Sequence, residues 1–224
     1  MSKEKEGDID VYLNRIHDYF NLLTLPMVFA AYCWHMWALY QQPRDDFVIT
    51  PLSFPRESKH VAWDVCYWTF CVYIVVDSLW IILYPRTVKS PTSIIVHHVI
   101  CVIGWQICHL WPGWEFYISY GLCVEINTFF LIAKRQLKYP ILYWLDDFTW
   151  FVTRLLMFPV NAYNMVSVWL WMSQHPMSAG MPLGGYCNTG LYAATTCVLV
   201  TCQNFMWTKD KWFKNKNTGK EKGL

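Results

Sequence analysis

Twenty consecutive residues, Asn21 to Tyr40, contain no Asp, Glu, Lys or Arg, and no other feature of the chain restricts its folding so strongly. As an α-helix rising about 1.5 Å per residue, such a run reaches about 30 Å, the thickness of the hydrocarbon layer of a bilayer. Five further apolar runs follow, at 65–84, 94–111, 116–133, 141–172 and 191–207. Across the 224 residues, 55% are apolar or aromatic and 15% are charged, against about 25% charged in soluble domains. The expectation is an all-α, polytopic bundle of about six transmembrane helices forming one domain over 1–224, with a polar, basic tail at 208–224.

Prolines and glycines punctuate the runs. Pro85 ends the second, because it has no amide hydrogen and constrains the residue before it. Pro112 and Gly113 mark a turn, Pro140 opens the fifth helix, and Pro159 predicts a bend inside it. The segment 173–190, rich in Gly, Pro and Ser, reads as a loop. Met1 to Tyr19 mixes acids and bases ahead of the first span, unlike a cleavable signal, so that span is expected to stay in the mature protein.

Retained Lys and Arg favour the untranslocated face of a membrane. With six spans, one face holds Lys3, Lys5, Arg15, Arg86, Lys89, Lys134, Arg135, Lys138 and the lysines of the tail. The opposite face holds only Arg44, Arg56 and Lys59. Both termini are therefore expected on the cytosolic or matrix side, in the endoplasmic reticulum or the mitochondrial inner membrane. The net charge of +2 and the position of the lysines exclude a nucleic-acid partner. Eight of the nine cysteines fall inside apolar runs and no CxxC pair occurs, which points to small buried hydrophobes rather than disulfides.

An ionisable side chain in hydrocarbon costs about 2.5 to 3.5 kcal/mol on insertion scales, so each one demands a partner or a function. The candidates are Asp77, His97, His98, Glu125, Asp146, Asp147 and Arg154. Asp77, His98, Glu125, Asp146 and Asp147 all fall within roughly 6–12 Å of the inner helix ends, and Arg154 could pair with Glu125 if their helices touch. Three readings are open: packing of helices by buried polar pairs, a lipid headgroup site, or acyl-transfer chemistry with His98 as general base and His97 orienting it. No metal site is expected, because neighbours in a helix point about 100° apart and His97 and His98 cannot share one ion without strain.

Four places carry a resemblance to the TLC (TRAM-LAG-CLN) domain family, which includes the ceramide synthases and non-synthase members. Asp77 is similar to its acidic residue ahead of the histidines, and Ile95-Val96-His97-His98 to its double histidine. Glu125-Ile126-Asn127-Thr128-Phe129-Phe130 with Arg135, and Arg154 with Pro159, resemble the non-synthase branch. The ceramide synthases carry a His-Asp-x-x-Asp stretch where this chain reads Tyr117-Ile118-Ser119-Tyr120-Gly121. The resemblance thus implies the family's membrane helical fold and a lipid-lined interior, and the first expectation is a lipid-binding, non-catalytic membrane protein, an accessory subunit of a larger membrane complex, with bound phospholipid, no cofactor and other membrane subunits as partners. The alternatives are a lipid acyltransferase and a small transporter or channel, the last disfavoured by the absence of an internal repeat.

Overall fold

The computed structural model describes residues 3–41, 61–110, 121–174 and 189–212. Among these every extended element is helical: α1 (Lys3–Tyr40), α2 (Val61–Leu83), α3 (Pro91–Leu110), α4 (Glu125–Leu137), α5 (Pro140–Gln174) and α6 (Thr189–Trp212). Ile9–Tyr40 of α1, all of α2 and all of α5 are long and apolar enough to cross a membrane.

Local chemistry explains most of the helix ends. Pro85 opens a 3-10 turn, Pro85–Thr87, in which the Thr87 hydroxyl donates to the Tyr84 carbonyl at 2.7 Å, consuming an acceptor that the end of α2 leaves free. Pro91 occupies the first position of α3, where its missing N–H costs nothing. Lys138 closes α4 in the left-handed region (φ 56°, ψ 22°), its N–H returning to the Lys134 carbonyl, and Pro140 starts α5 two residues later. A non-glycine residue there costs about 1 kcal/mol, which the tight reversal between α4 and α5 requires.

Two segments differ from the apolar runs. The first helix starts at Lys3, not near Asn21, because Ile9, Leu13, Ile16 and Phe20 continue its apolar face at helical spacing through the charged segment. In α5 the bend expected at Pro159 is a π-helical stretch, Trp150–Met157, lying immediately before it. Proline removes one backbone donor and crowds the carbonyl four residues earlier, and the wider π turn relieves both. The expected turn at Pro112–Gly113 and the first residues of the run at 116–133 lie outside the described residues.

The chain forms two compact units, Met1–Trp150 and Phe151–Leu224. In the first, α1 packs on α2 and α4, α2 on α3, and α4 on the opening turns of α5. In the second, the remainder of α5 packs on α6. The first unit has a dense aromatic core: Trp105 contacts Trp63 and Phe70 with ring centroids 5.3 and 4.7 Å apart, and Tyr67 stacks on His109 at 4.3 Å. The Tyr67 hydroxyl accepts from Gln106 at 2.6 Å.

The surface inverts the pattern of a water-soluble protein. Leu23 (73% exposed), Met27, Trp68, Val72, Leu79 and Leu83 face outward, while Asp18, Asp77, Asn127 and Asp146 are buried. Water would penalise that distribution on both counts, whereas a bilayer solvates the apolar outside and forces polar groups to satisfy one another within.

Candidate functional site

Three buried carboxylates organise the first unit. The central one is Asp77 of α2, which binds partners on both neighbouring helices. His17 Nε2 of α1 donates to Asp77 Oδ1 at 2.7 Å, and Asn21 Nδ2, one turn along, donates to the same oxygen at 3.2 Å. From α3, His98 Nε2 lies 3.6 Å from Asp77 Oδ2, outside hydrogen-bond range but within strong Coulombic reach. The Ser78 hydroxyl donates to His98 Nδ1 at 2.8 Å, an assignment that leaves the Nε2 proton directed at the carboxylate. Trp80 lies flat against the His17 ring, with centroids 5.7 Å apart and planes at 9°.

The second carboxylate is Asp18, the neighbour of His17, which has no exposed surface. It bonds the guanidinium of Arg135 through Nε at 2.7 Å and through Nη2, and it also accepts from Gln136, so α1 is fastened to the end of α4. The third is Asp146, also fully buried, which pairs with Lys134 and accepts from Asn127 Nδ2 at 3.1 Å. Asn127 Nδ2 also approaches the Asp146 carbonyl and the Thr149 hydroxyl, joining α4 to α5. A forked Arg–carboxylate pair and an ammonium–carboxylate pair each neutralise a charge that could not otherwise be buried.

His97 turns away from His98, their ring centroids 6.1 Å apart and planes at 50°, and approaches the Cys101 thiol one turn later at 3.5 Å. Glu125 stands part-buried in the first turn of α4. Asp147 is exposed beside buried Asp146, as the 100° step between helical neighbours dictates. In the second unit Arg154 is buried, donates to Asn204 Oδ1 at 2.8 Å and sits over the Trp207 ring at 5.3 Å. Glu125 belongs to the first unit and Arg154 to the second. Among the described residues no three His, Cys, Asp or Glu side chains converge as a metal site.

His17, Asp18 and Asn21 join the buried polar network and were passed over by sequence reasoning. Their signal was positional: Asn14, His17 and Asn21 recur at three and four residues, marking one polar face of α1. Residues 117–120, where the ceramide-synthase acidic stretch would fall, lie outside the described residues.

Apolar helices carrying an inward-facing polar network define an integral membrane protein. The chain belongs to the TLC domain family, which it matches over residues 20–210. No curated protein and no solved structure matches it.

Proposed function

We propose that this TLC-domain protein is a non-catalytic, lipid-binding protein of the non-synthase branch, serving as an accessory subunit in a larger membrane assembly. The observation that carries this reading is the His17–Asp77–His98 cluster, polar and buried in a bundle whose outside is apolar. Within such a bundle the polar molecules at hand are lipid headgroups and water. The basic inner loops support placement in the endoplasmic reticulum or mitochondrial inner membrane with the termini on the cytosolic or matrix side. Gentle extraction followed by native mass spectrometry should release the chain with phospholipid and partner subunits. A bare, delipidated monomer would refute this.

A specific arrangement favours one second reading, a lipid acyltransferase: Ser78 Oγ, His98 and Asp77 fall in the order of nucleophile, base and orienting carboxylate. Against it, Ser78 lies within α2, where neighbouring backbone amides serve the helix and are not available as oxyanion donors. Asp77 is also committed to His17 and Asn21. Equal acyl transfer from a lipid extract by wild type and His98→Ala would eliminate the enzyme. A loss of several hundredfold would establish it, the scale expected when a general base is removed.

A further inference from the structure

Three buried polar atoms around His17 have no hydrogen-bond partner among the described residues: Asn14 Oδ1, Asn21 Oδ1 and Trp80 Nε1. They flank one ring, since Asn14 and Asn21 precede and follow His17 on the same face of α1 and Trp80 stacks on its imidazole. Asn21 is 3% exposed. Its amide orientation is fixed, because Nδ2 donates to Asp77 Oδ1 and to the His17 carbonyl at 3.1 Å, and turning the group over would set oxygen against a carboxylate. The oxygen left over is an acceptor with nothing to accept. Orphaned buried polar atoms are uncommon in native folds, and several around one side chain point to a group that completes them.

We propose that the α1–α2 contact around His17 binds the hydroxyl-bearing headgroup of a membrane lipid, a polyol of the glycerol or sugar type. The inference rests on the lipid-binding reading above and specifies its ligand. The amide oxygen of Asn21 beside the buried Asp77 carboxylate, with that of Asn14 on the same helix face, disfavours an acceptor-only phosphate or carboxylate. An ammonium donates to both oxygens but cannot accept from the indole N–H of Trp80. A hydroxyl does both, donating to an amide oxygen and accepting from the indole N–H. Asn14 and Asn21 are two helical turns apart, about 10 Å along the axis, so one hydroxyl or one water reaches only part of the set and a polyol reaches more of it.

The test uses full-length protein in nanodiscs of phosphatidylcholine doped with equal phosphatidylglycerol, phosphatidic acid and phosphatidylethanolamine. Native mass spectrometry reads the lipids that stay bound. Phosphatidylglycerol and phosphatidic acid share the phosphate and differ by the glycerol, so their ratio isolates the polyol. Wild type should retain phosphatidylglycerol about tenfold over phosphatidic acid, the ratio that one to two well-placed hydrogen bonds produce. Asn21→Leu should abolish the preference. Trp80→Phe, which keeps the stack on His17 and removes only the N–H, should reduce it severalfold without altering the melting temperature. Bound lipid without a glycerol preference in wild type would overturn the polyol inference and leave lipid binding standing, water then filling the orphaned sites. Absence of any retained lipid would overturn both, and a preference untouched by both substitutions would place the polyol elsewhere.

Discussion

The His17→Leu substitution isolates the energetics of the central cluster. Removing the main hydrogen-bond donor to a buried carboxylate costs about 3–5 kcal/mol, on the scale of breaking a buried pair, because the carboxylate is left uncompensated. Here Asn21 would still donate to Asp77 Oδ1, offsetting about 1 kcal/mol, so the net loss is about 2–4 kcal/mol. For a chain of this size each kcal/mol lowers the melting temperature by about 2–4 °C, giving a fall of about 4–16 °C in detergent at fixed scan rate. The double variant His17→Leu/Asp77→Leu should recover at least half of that fall, because the stranded charge is gone. The groups left behind are tolerable: Asn21 Nδ2 keeps its bond to the backbone carbonyl of residue 17, and neutral His98 can shift its proton to Nδ1 and donate to Ser78. A single variant melting within about 2 °C of wild type, or a double variant melting lower than the single, would refute the assignment of Asp77 as a buried charge held by His17.

Lys134→Met should destabilise the protein by about 3–5 kcal/mol in chemical denaturation, since Asp146 has no exposed surface and loses the ammonium that pairs with its carboxylate; Lys134→Met/Asp146→Asn should recover most of it. Arg154→Leu should cost about 2–4 kcal/mol through loss of the Asn204 bond and the Trp207 ring contact, while Arg154→Lys, which cannot reproduce a planar stack, should restore less than half. Cysteines introduced at position 3 and position 220 should both be labelled by an impermeant maleimide from the same side of sealed vesicles; labelling from opposite sides would break the six-span topology.

Charge against an apolar background is what made the central residues legible. Asp77 interrupts a run of hydrophobic residues and His98 interrupts another, so each demands a partner on hydropathy alone, and the fold sets them 3.6 Å apart. The helical class was legible for the same reason, as were the helix boundaries at Pro85 and Pro140, where the missing amide acts locally. His17, Asp18 and Asn21 were not, because they adjoin a charged terminal segment in which polar side chains are ordinary. Only the rotation of α1 against α2 and α4 distinguishes inward from outward there. The same limit applies to Asp146 and Asp147: adjacent identical residues, one sealed beside Lys134 and one exposed, separated by helix phase alone. The π stretch before Pro159 required knowing how the backbone accommodates a proline that the chain does not use to stop the helix.

The three carboxylates of the first unit differ in what balances them, and that difference bears on which can respond to a ligand. Asp18 and Asp146 are each held by a side chain of fixed charge, Arg135 and Lys134, whose own surfaces reach outward at the end of α4. Such pairs clasp α1 to α4 and α4 to α5, and changing either means exposing a charge. Among the described residues Asp77 is held by amide and imidazole groups, His17, Asn21 and His98, whose proton positions rearrange at small cost. A hydroxyl arriving beside His17 can therefore redistribute the hydrogen bonds that His17 and Asn21 make to Asp77 without displacing a side chain of fixed charge. The contacts of α2 with α1 and α3 are thus the adjustable ones, and the two lysine- and arginine-clamped contacts give them a fixed frame to adjust against.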